Sequence, residues 1–194
     1  ITNDLTITTA TLNADATINV GGNAKVDTLT IAGTTDLDVT GNFETVTTIL
    51  TGIADVNVKG NLTATDFTAE SNLTLTVKGD ATAETLTVVK DLQAEVKNLV
   101  INEKLDVDGN AVITATENIN AKTVEIAGTA NITAVVATVE TLTVNSTANI
   151  TADTATIGTL TVDGVADVQI TNDLTITTAT LNADATINVG GNAK

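Results

Sequence analysis

Carboxylates are the only plentiful side chains in this sequence that could run acid–base chemistry. Asp36, Asp38 and Asp55 bring three of them to related positions. If positions 36 and 55 lie side by side on neighbouring strands, their charges sit about 5 Å apart. Two carboxyls at that distance cannot ionise independently, and one is pushed toward the protonated state that a general acid needs. The only polar residue expected beside them is Asn57, so a solvated acidic face that keeps the molecule soluble accounts for the same residues. A second pattern is Asp4, Asn23, Asn42, Asn61, Asp80, Asn118, Asp173 and Asn192, all at turn-like positions. Their oxygens could coordinate calcium, but the dense Gly-Asp nonapeptide of calcium-binding rolls is missing. Stacked turns with amides bonded along the column are expected instead. A third pattern is Thr-x-Thr, at Thr9/Thr11, Thr28/Thr30, Thr85/Thr87, Thr141/Thr143, Thr159/Thr161 and Thr178/Thr180. Asp66, Lys104, Asp106 and Glu125 interrupt this hydroxyl array. Glu84, Glu103 and Lys122 form a further outward column and read as surface charge.

Missing residue types narrow the chemistry further. The 194 residues contain no Cys, His, Met, Pro, Trp or Tyr, and all eight basic residues are Lys. There is thus no thiol, no disulfide, no zinc or iron–sulfur ligand set and no imidazole base. A formal charge of −16 with no Arg and two aromatics, Phe43 and Phe67, gives no means to neutralise phosphates or stack bases. No nucleic-acid partner is expected. No apolar run approaches the roughly 18–20 residues of a membrane-spanning helix. Five Asn-x-Ser/Thr sequons, at Asn61, Asn72, Asn131, Asn145 and Asn149, are about the number that 43 Thr and 20 Asn produce by chance. No catalytic, cofactor-binding or metal-ligating residue is assigned, and the chain is not expected to be an enzyme.

What positions these residues is an internal repeat. Ile1 to Lys25 recurs unchanged as Ile170 to Lys194, so position 170 restarts the pattern of position 1. Inside this unit runs a shorter period. One apolar column reads Ile1, Val20, Val39, Val58, Val77, Val96, Ala115, Ala134, Ala152, Ile170 and Val189. Another reads Leu12, Ile31, Leu50, Ala69, Val88, Val107, Ile126, Val144, Val162 and Leu181. Both step by 19, shortened to 18 at the same two places, so 1–169 is one unit of nine short repeats and 170–194 begins the next.

Within each short repeat apolar residues alternate with the strand period of two. Thr28-Leu29-Thr30-Ile31 marks one strand, Ala54-Asp55-Val56-Asn57-Val58 another. A third, shorter segment carries Leu5, Ala24, Phe43, Leu62, Ala81, Val100 and Ile119 inward. Gly-Asn and Gly-Asp pairs mark the corners, where their tolerance of positive φ is expected to matter. Three β segments per short repeat, with turns too short for hairpins, predict an all-β fold. It is a single-stranded parallel β-helix (β-solenoid) of about ten coils, with right-handed winding. Pro has no place in strands that bond on both sides.

Turn phrases such as Val58-Lys59-Gly60-Asn61-Leu62, Val77-Lys78-Gly79-Asp80-Ala81 and Val107-Asp108-Gly109-Asn110-Ala111 resemble the 19-residue repeat of filamentous-haemagglutinin-type surface adhesins. They also resemble the bactofilins, cytoskeletal β-helices that polymerise end to end. The first resemblance implies an extracellular or cell-surface filament or adhesin stalk, the second an intracellular polymer. The Thr pairs resemble the ice-binding face of insect β-helical antifreeze proteins. The Asp36, Asp38 and Asp55 cluster resembles that of β-helical pectin-degrading hydrolases. A structural filament is the expected function, and its expected partner is itself, within a longer tandem chain or by end-to-end stacking. Continuation by Val after Lys194, and Gln before Ile1, is expected of such an array.

Overall fold

The computed structural model describes residues 1–194 and contains strands but no helix. The strands are β1 (Leu5–Leu12), β2 (Ala16–Val20), β3 (Ala24–Ile31), β4 (Thr35–Val39), β5 (Phe43–Leu50), β6 (Ala54–Val58), β7 (Leu62–Ala69), β8 (Leu73–Val88), β9 (Leu92–Val107), β10 (Ala111–Ala115), β11 (Asn118–Ile126), β12 (Ala130–Val144), β13 (Ala148–Val162), β14 (Ala166–Ile170), β15 (Leu174–Leu181) and β16 (Ala185–Val189). Every pairing is parallel and joins a segment to its equivalent one coil away, as in Ala24↔Phe43↔Leu62↔Ala81. The chain is therefore a β-solenoid of about ten coils. At about 4.8 Å per coil it makes a rod roughly 48 Å long.

Each coil has three arms, and two of them run as one strand. In β3 the pairing skips Asp27, between Val26↔Thr45 and Thr28↔Thr47. The strand bends there without losing its ladder. Turns are part of the ladder as well: the Gly41 N–H donates to Gly22 O (2.8 Å), and Gly60 to Gly41 and Gly79 to Gly60 at 3.0 Å. The apolar alternation places one side chain in two inside, and 55 buried apolar residues join into one core along the rod. Phe43 and Phe67 both lie in it, as their register predicts. Phe43 stacks between Ala24 and Leu62, a small neighbour on one side leaving volume for the ring.

One inward expectation is corrected. Leu99, not Val100, continues the column from Ala81 to Ile119, and Val100 faces outward. The cause is a pair of compensating irregularities. The corner after Val96 is one residue shorter than the corner after Val77, so Asp80 pairs with Asn98. An extra residue then enters at Asn102 and Glu103, which together oppose Glu84. The coil keeps its full length while its inward phase shifts by one. The corner is shortened again at Val135-Val136 and Asp153-Thr154, with no compensation, which gives the two shorter steps of the repeat.

One coil also exchanges an inside residue for an outside one. Thr48 occupies the column that holds Leu29 and Phe67 on either side, while Ile49 faces outward. Thr45 is buried in the same coil, and the two hydroxyls lie 3.0 Å apart as partners. No buried side-chain N or O is left without a hydrogen bond. The pair makes a clean test, because Val matches the shape of Thr. Thr48→Val alone orphans the Thr45 hydroxyl and is expected to cost about 1–3 kcal/mol. Thr45→Val with Thr48→Val should recover most of that loss. Urea midpoints at unchanged slope measure both, and equal loss in single and double variants would show that the hydroxyls are not each other's partners.

Candidate functional surfaces

The face built from β2, β4, β6 and their successors carries the acidic cluster. Asp36 pairs with Asp55 and Asp38 with Asn57, so the three carboxylates do come together. Their neighbours along the rod are Thr17 and Asn19 on one side, Thr74 and Thr76 on the other. The Asn57 amide reaches Asp55 Oδ1 at 3.4 Å. Partial burial and then the charges of Asp36 and Asp38 hold the Asp55 carboxyl above its ordinary 3.8. The cluster is bordered by short Thr and Asn side chains on an open sheet, and no aromatic ring stands near.

At the corner of the same face is a row that sequence reasoning passed over. Lys59, Lys78 and Lys97 each follow the paired residues Val58, Val77 and Val96, and all three are exposed. Their recurrence once per coil was the available signal, and Lys59 and Lys78 lie inside turn phrases noted for their glycines. An open groove of about 510 Å³ runs beside Asn19, Asp38, Asn57 and Lys59, joining the acidic cluster to the first lysine. Lys97 reaches Glu117 at 3.7 Å.

The threonines form two outward columns on a second arm. One passes through Thr9, Thr28, Thr47, Asp66, Thr85, Lys104, Thr123, Thr141, Thr159 and Thr178. The other holds Thr11, Thr30, Ile49, Thr68, Thr87, Asp106, Glu125, Thr143, Thr161 and Thr180. The four expected interruptions are present, and Ile49 adds a fifth. They are bonded into the surface: Lys104 Nζ meets Asp106 Oδ2 at 2.8 Å and Glu125 Oε2 at 2.7 Å, and Thr85 Oγ1 donates to Asp66 at 2.7 Å. Both carboxylates hold the Lys104 ammonium above its ordinary pKa. In the bend column Lys122 pairs with Glu103 at 2.8 Å, and Asn102 donates to Glu84 at 2.9 Å. Lys25 pairs with Glu44 one coil on. Exposed pairs of this kind add little to stability and are screened by salt.

The Asn/Asp turn column is a hydrogen-bond ladder: side-chain amides bond along it as expected, Asn98 Nδ2 to Asp80 Oδ1 and Asn118 Nδ2 to Asn98 Oδ1 at 2.7 Å each and Asn192 Nδ2 to Asp173 Oδ1 at 3.0 Å, and backbone N–H donors add a further set of rungs. Asn23 Oδ1 accepts the backbone N–H of Asn42 (2.9 Å), Asn42 Oδ1 that of Asn61 (2.8 Å), and Asn61 Oδ1 that of Asp80 (2.9 Å). Asp4 and Asp173 accept in the same way from Asn23 and Asn192, and that backbone donor is the main reason the Asp173 carboxyl lies below its ordinary pKa. The column includes Asn98, whose Oδ1 accepts from the Asn118 N–H at 3.0 Å; the shortened corner hid it from a fixed count along the chain. A second corner repeats the device through Asp91 and Asn110. Oxygens spent on backbone N–H groups are poorly placed for calcium, and no cluster of three or more carboxylates is arranged to hold a metal ion.

The ladder also explains its glycines, and corrects the expectation about them. No residue in the chain has positive φ. A Cβ at Gly41 would stand 2.5 Å from Asn23 Oδ1 and 2.8 Å from Gly22 O, so the glycine is there to let one turn lie against the next.

Family models, characterised proteins and solved structures were compared with the chain, and none matches it.

The acidic cluster gives a pH test with a definite sign. Because the folded state raises the Asp55 pKa, its charge weakens the fold at neutral pH. Asp55→Asn is expected to stabilise by about 0.5 kcal/mol at pH 7, the scale of like charges directly opposite on paired strands. The gain should shrink as pH falls through the raised pKa and vanish below about 4, where the carboxyl is neutral in both states. Denaturation midpoints of both proteins from pH 3 to 7 measure this, and a pH-independent difference would remove the electrostatic account.

Proposed function

We propose that this chain is a structural element of a fibre, a length of β-solenoid whose task is to extend. The observation that carries the reading is the ladder that runs through every coil over one continuous core from Val20 to Leu174, together with the segment Ile1 to Lys25 that returns unchanged after nine coils. In a solenoid each coil contacts only its neighbours, so the structure has no natural length and can be prolonged without redesign. Stiffness comes from parallel ladders in all three arms. Solubility comes from 24 carboxylates distributed along the rod, which oppose lateral clumping.

The fibre is extracellular, a surface filament or adhesin stalk of the filamentous-haemagglutinin type. A Cys-free, acidic surface rich in Thr and Asn supports that placement, as do the turn phrases of the repeat. The carboxylates of Asp36, Asp38 and Asp55 serve solubility, since nothing on their open face would hold a sugar. The Thr columns serve strand formation, where a β-branched polar residue fits an exposed ladder. Their interruption by Ile49 and by the Lys104 ion pairs weighs against recognition of a regular lattice.

Negative-stain microscopy tests the proposal. Thin unbranched fibres with an axial repeat of about 43 Å are expected, nine coils at about 4.8 Å each. Compact, uniform particles at every concentration would defeat it.

A further inference from the structure

One coil is turned inside out on a single arm. The coils beside β5 place a large apolar residue inside and Thr outside, as in Leu29-Thr30 and Phe67-Thr68. β5 reverses the order: Thr48 is buried and Ile49 faces out. Val46 at the bend and Ile53 at the next corner flank Ile49, and they are 51% and 57% exposed. Val46 stands between Asp27 and Thr65, Ile49 between Thr30 and Thr68, and Ile53 between Thr34 and Asn72. In the columns of Val46 and Ile49 no other coil carries an aliphatic residue. Three aliphatic side chains thus make one exposed row across the rod, in the coil that buries two hydroxyls. Room for the Phe67 ring explains a small residue at Thr48. It does not explain aliphatic residues outside, where both neighbouring coils place Thr, Asp or Asn. Exposed aliphatics gathered against the surrounding pattern mark a contact surface.

The rim of the row says what fits it. Asp27 lies one rung from Val46, about 4.8 Å away. Asp66 lies one rung from Thr47, between Val46 and Ile49, and Glu70 one rung from Thr51, between Ile49 and Ile53. None of these three carboxylates is in an ion pair. We propose that the row docks a basic segment of another protein. Aliphatic or aromatic side chains of that segment cover Val46, Ile49 and Ile53, while its Lys or Arg groups meet Asp27, Asp66 and Glu70.

An apolar centre inside a polar rim is the anatomy of a specific interface, and the single sign of this rim sets the charge of the partner. A second copy of the chain fits worse, because contact of row on row brings the same carboxylates together. An anionic surface is opposed for the same reason. The backbone groups of β5 are already bonded to β3 and β7, so the partner is held by side chains and adds no strand. The row is complete within one chain, so docking is independent of fibre formation.

Isothermal titration of the full chain with two soluble peptides of equal length tests this, one built from Lys and Leu, the other from Glu and Leu. The Lys-Leu peptide should bind and the Glu-Leu peptide should not. Ile49→Thr with Ile53→Thr installs the residue that Thr30, Thr68 and Thr34 already place in those columns, so the coil is expected to fold unchanged. It leaves every charge in place and should weaken the Lys-Leu peptide about tenfold or more. Asp27→Asn with Asp66→Asn should weaken it by a similar factor and flatten its salt dependence. Asp36→Asn with Asp38→Asn, on another arm, removes the same charge and should change the affinity little. Equal affinity in the parent chain and in the Ile49→Thr, Ile53→Thr variant would mean attraction to the acidic rod in general and overturn the assignment. Equal loss from both carboxylate pairs would do the same. Sedimentation of the chain alone should show no association through the row; self-association abolished by Ile49→Thr with Ile53→Thr would give the row to a second copy and refute a basic partner.

Discussion

Everything in this molecule depends on one constraint: each residue must pack against its own equivalent one coil away and hydrogen-bond to that same coil. The parallel ladder enforces it. Backbone N–H and C=O groups of one coil are satisfied by the next, in the turns as well as the strands. A side chain is therefore judged in a column, not only in its coil. Apolar columns such as Ile31, Leu50 and Ala69 merge into the core. A column tolerates a large residue when a neighbour gives way, as Ala24 does beside Phe43. It tolerates a polar one when another polar group in the same coil completes it, as Thr45 does for Thr48. Proline would leave an adjacent coil's carbonyl without its N–H donor, and every strand between the end coils has a coil on each side, so its absence follows.

Corners obey the constraint more tightly than strands do. A strand separates equivalent Cα atoms by a rung and sends side chains in or out, whereas a turn presses backbone onto backbone. At Gly41 there is no room for a methyl group, because the space is occupied by the Asn23 carboxamide that accepts the next turn's N–H. Asn and Gly are thus parts of one device. The side chain of one coil supplies an acceptor, and the glycine of the next leaves it space. Where the corner is shortened, at Val135-Val136, Glu117 O accepts both the Val135 and Val136 N–H groups, and the Asn ladder is absent. On the outer columns the same stacking makes charge periodic. Lys25 with Glu44 and Lys122 with Glu103 set opposite charges one coil apart; Asp36 with Asp55 sets like charges there.

Much of this was legible in the sequence because a period in the chain is a distance in the structure. The step of the repeat told which residues would touch, and the pairing of Asp36 with Asp55 and the burial of both phenylalanines followed from counting. Counting failed where the period is kept in total but redistributed within a coil. Val100 and Leu99 exchange roles because a short corner and an extra residue at Asn102 and Glu103 cancel within one coil. The same slip concealed Asn98 in its ladder. Residue preference misled at the glycines, since a type that suits positive φ was used here for lack of a side chain. The Lys59, Lys78 and Lys97 row and the intrusion of Ile49 follow from the register alone.

The outward columns follow the same rule: acidic, basic and amide columns each persist for a few coils before another residue type replaces them, and the Thr columns run the length of the rod with five interruptions. Nearest-neighbour stabilisation explains why that variation is tolerated, because a coil must suit only the two beside it. It also explains why unchanged recurrence stands out. Coils of this fold need share only a pattern, as the differing sequences of β4, β6 and β10 show, so the fold does not require Ile170 to Lys194 to match Ile1 to Lys25 residue for residue.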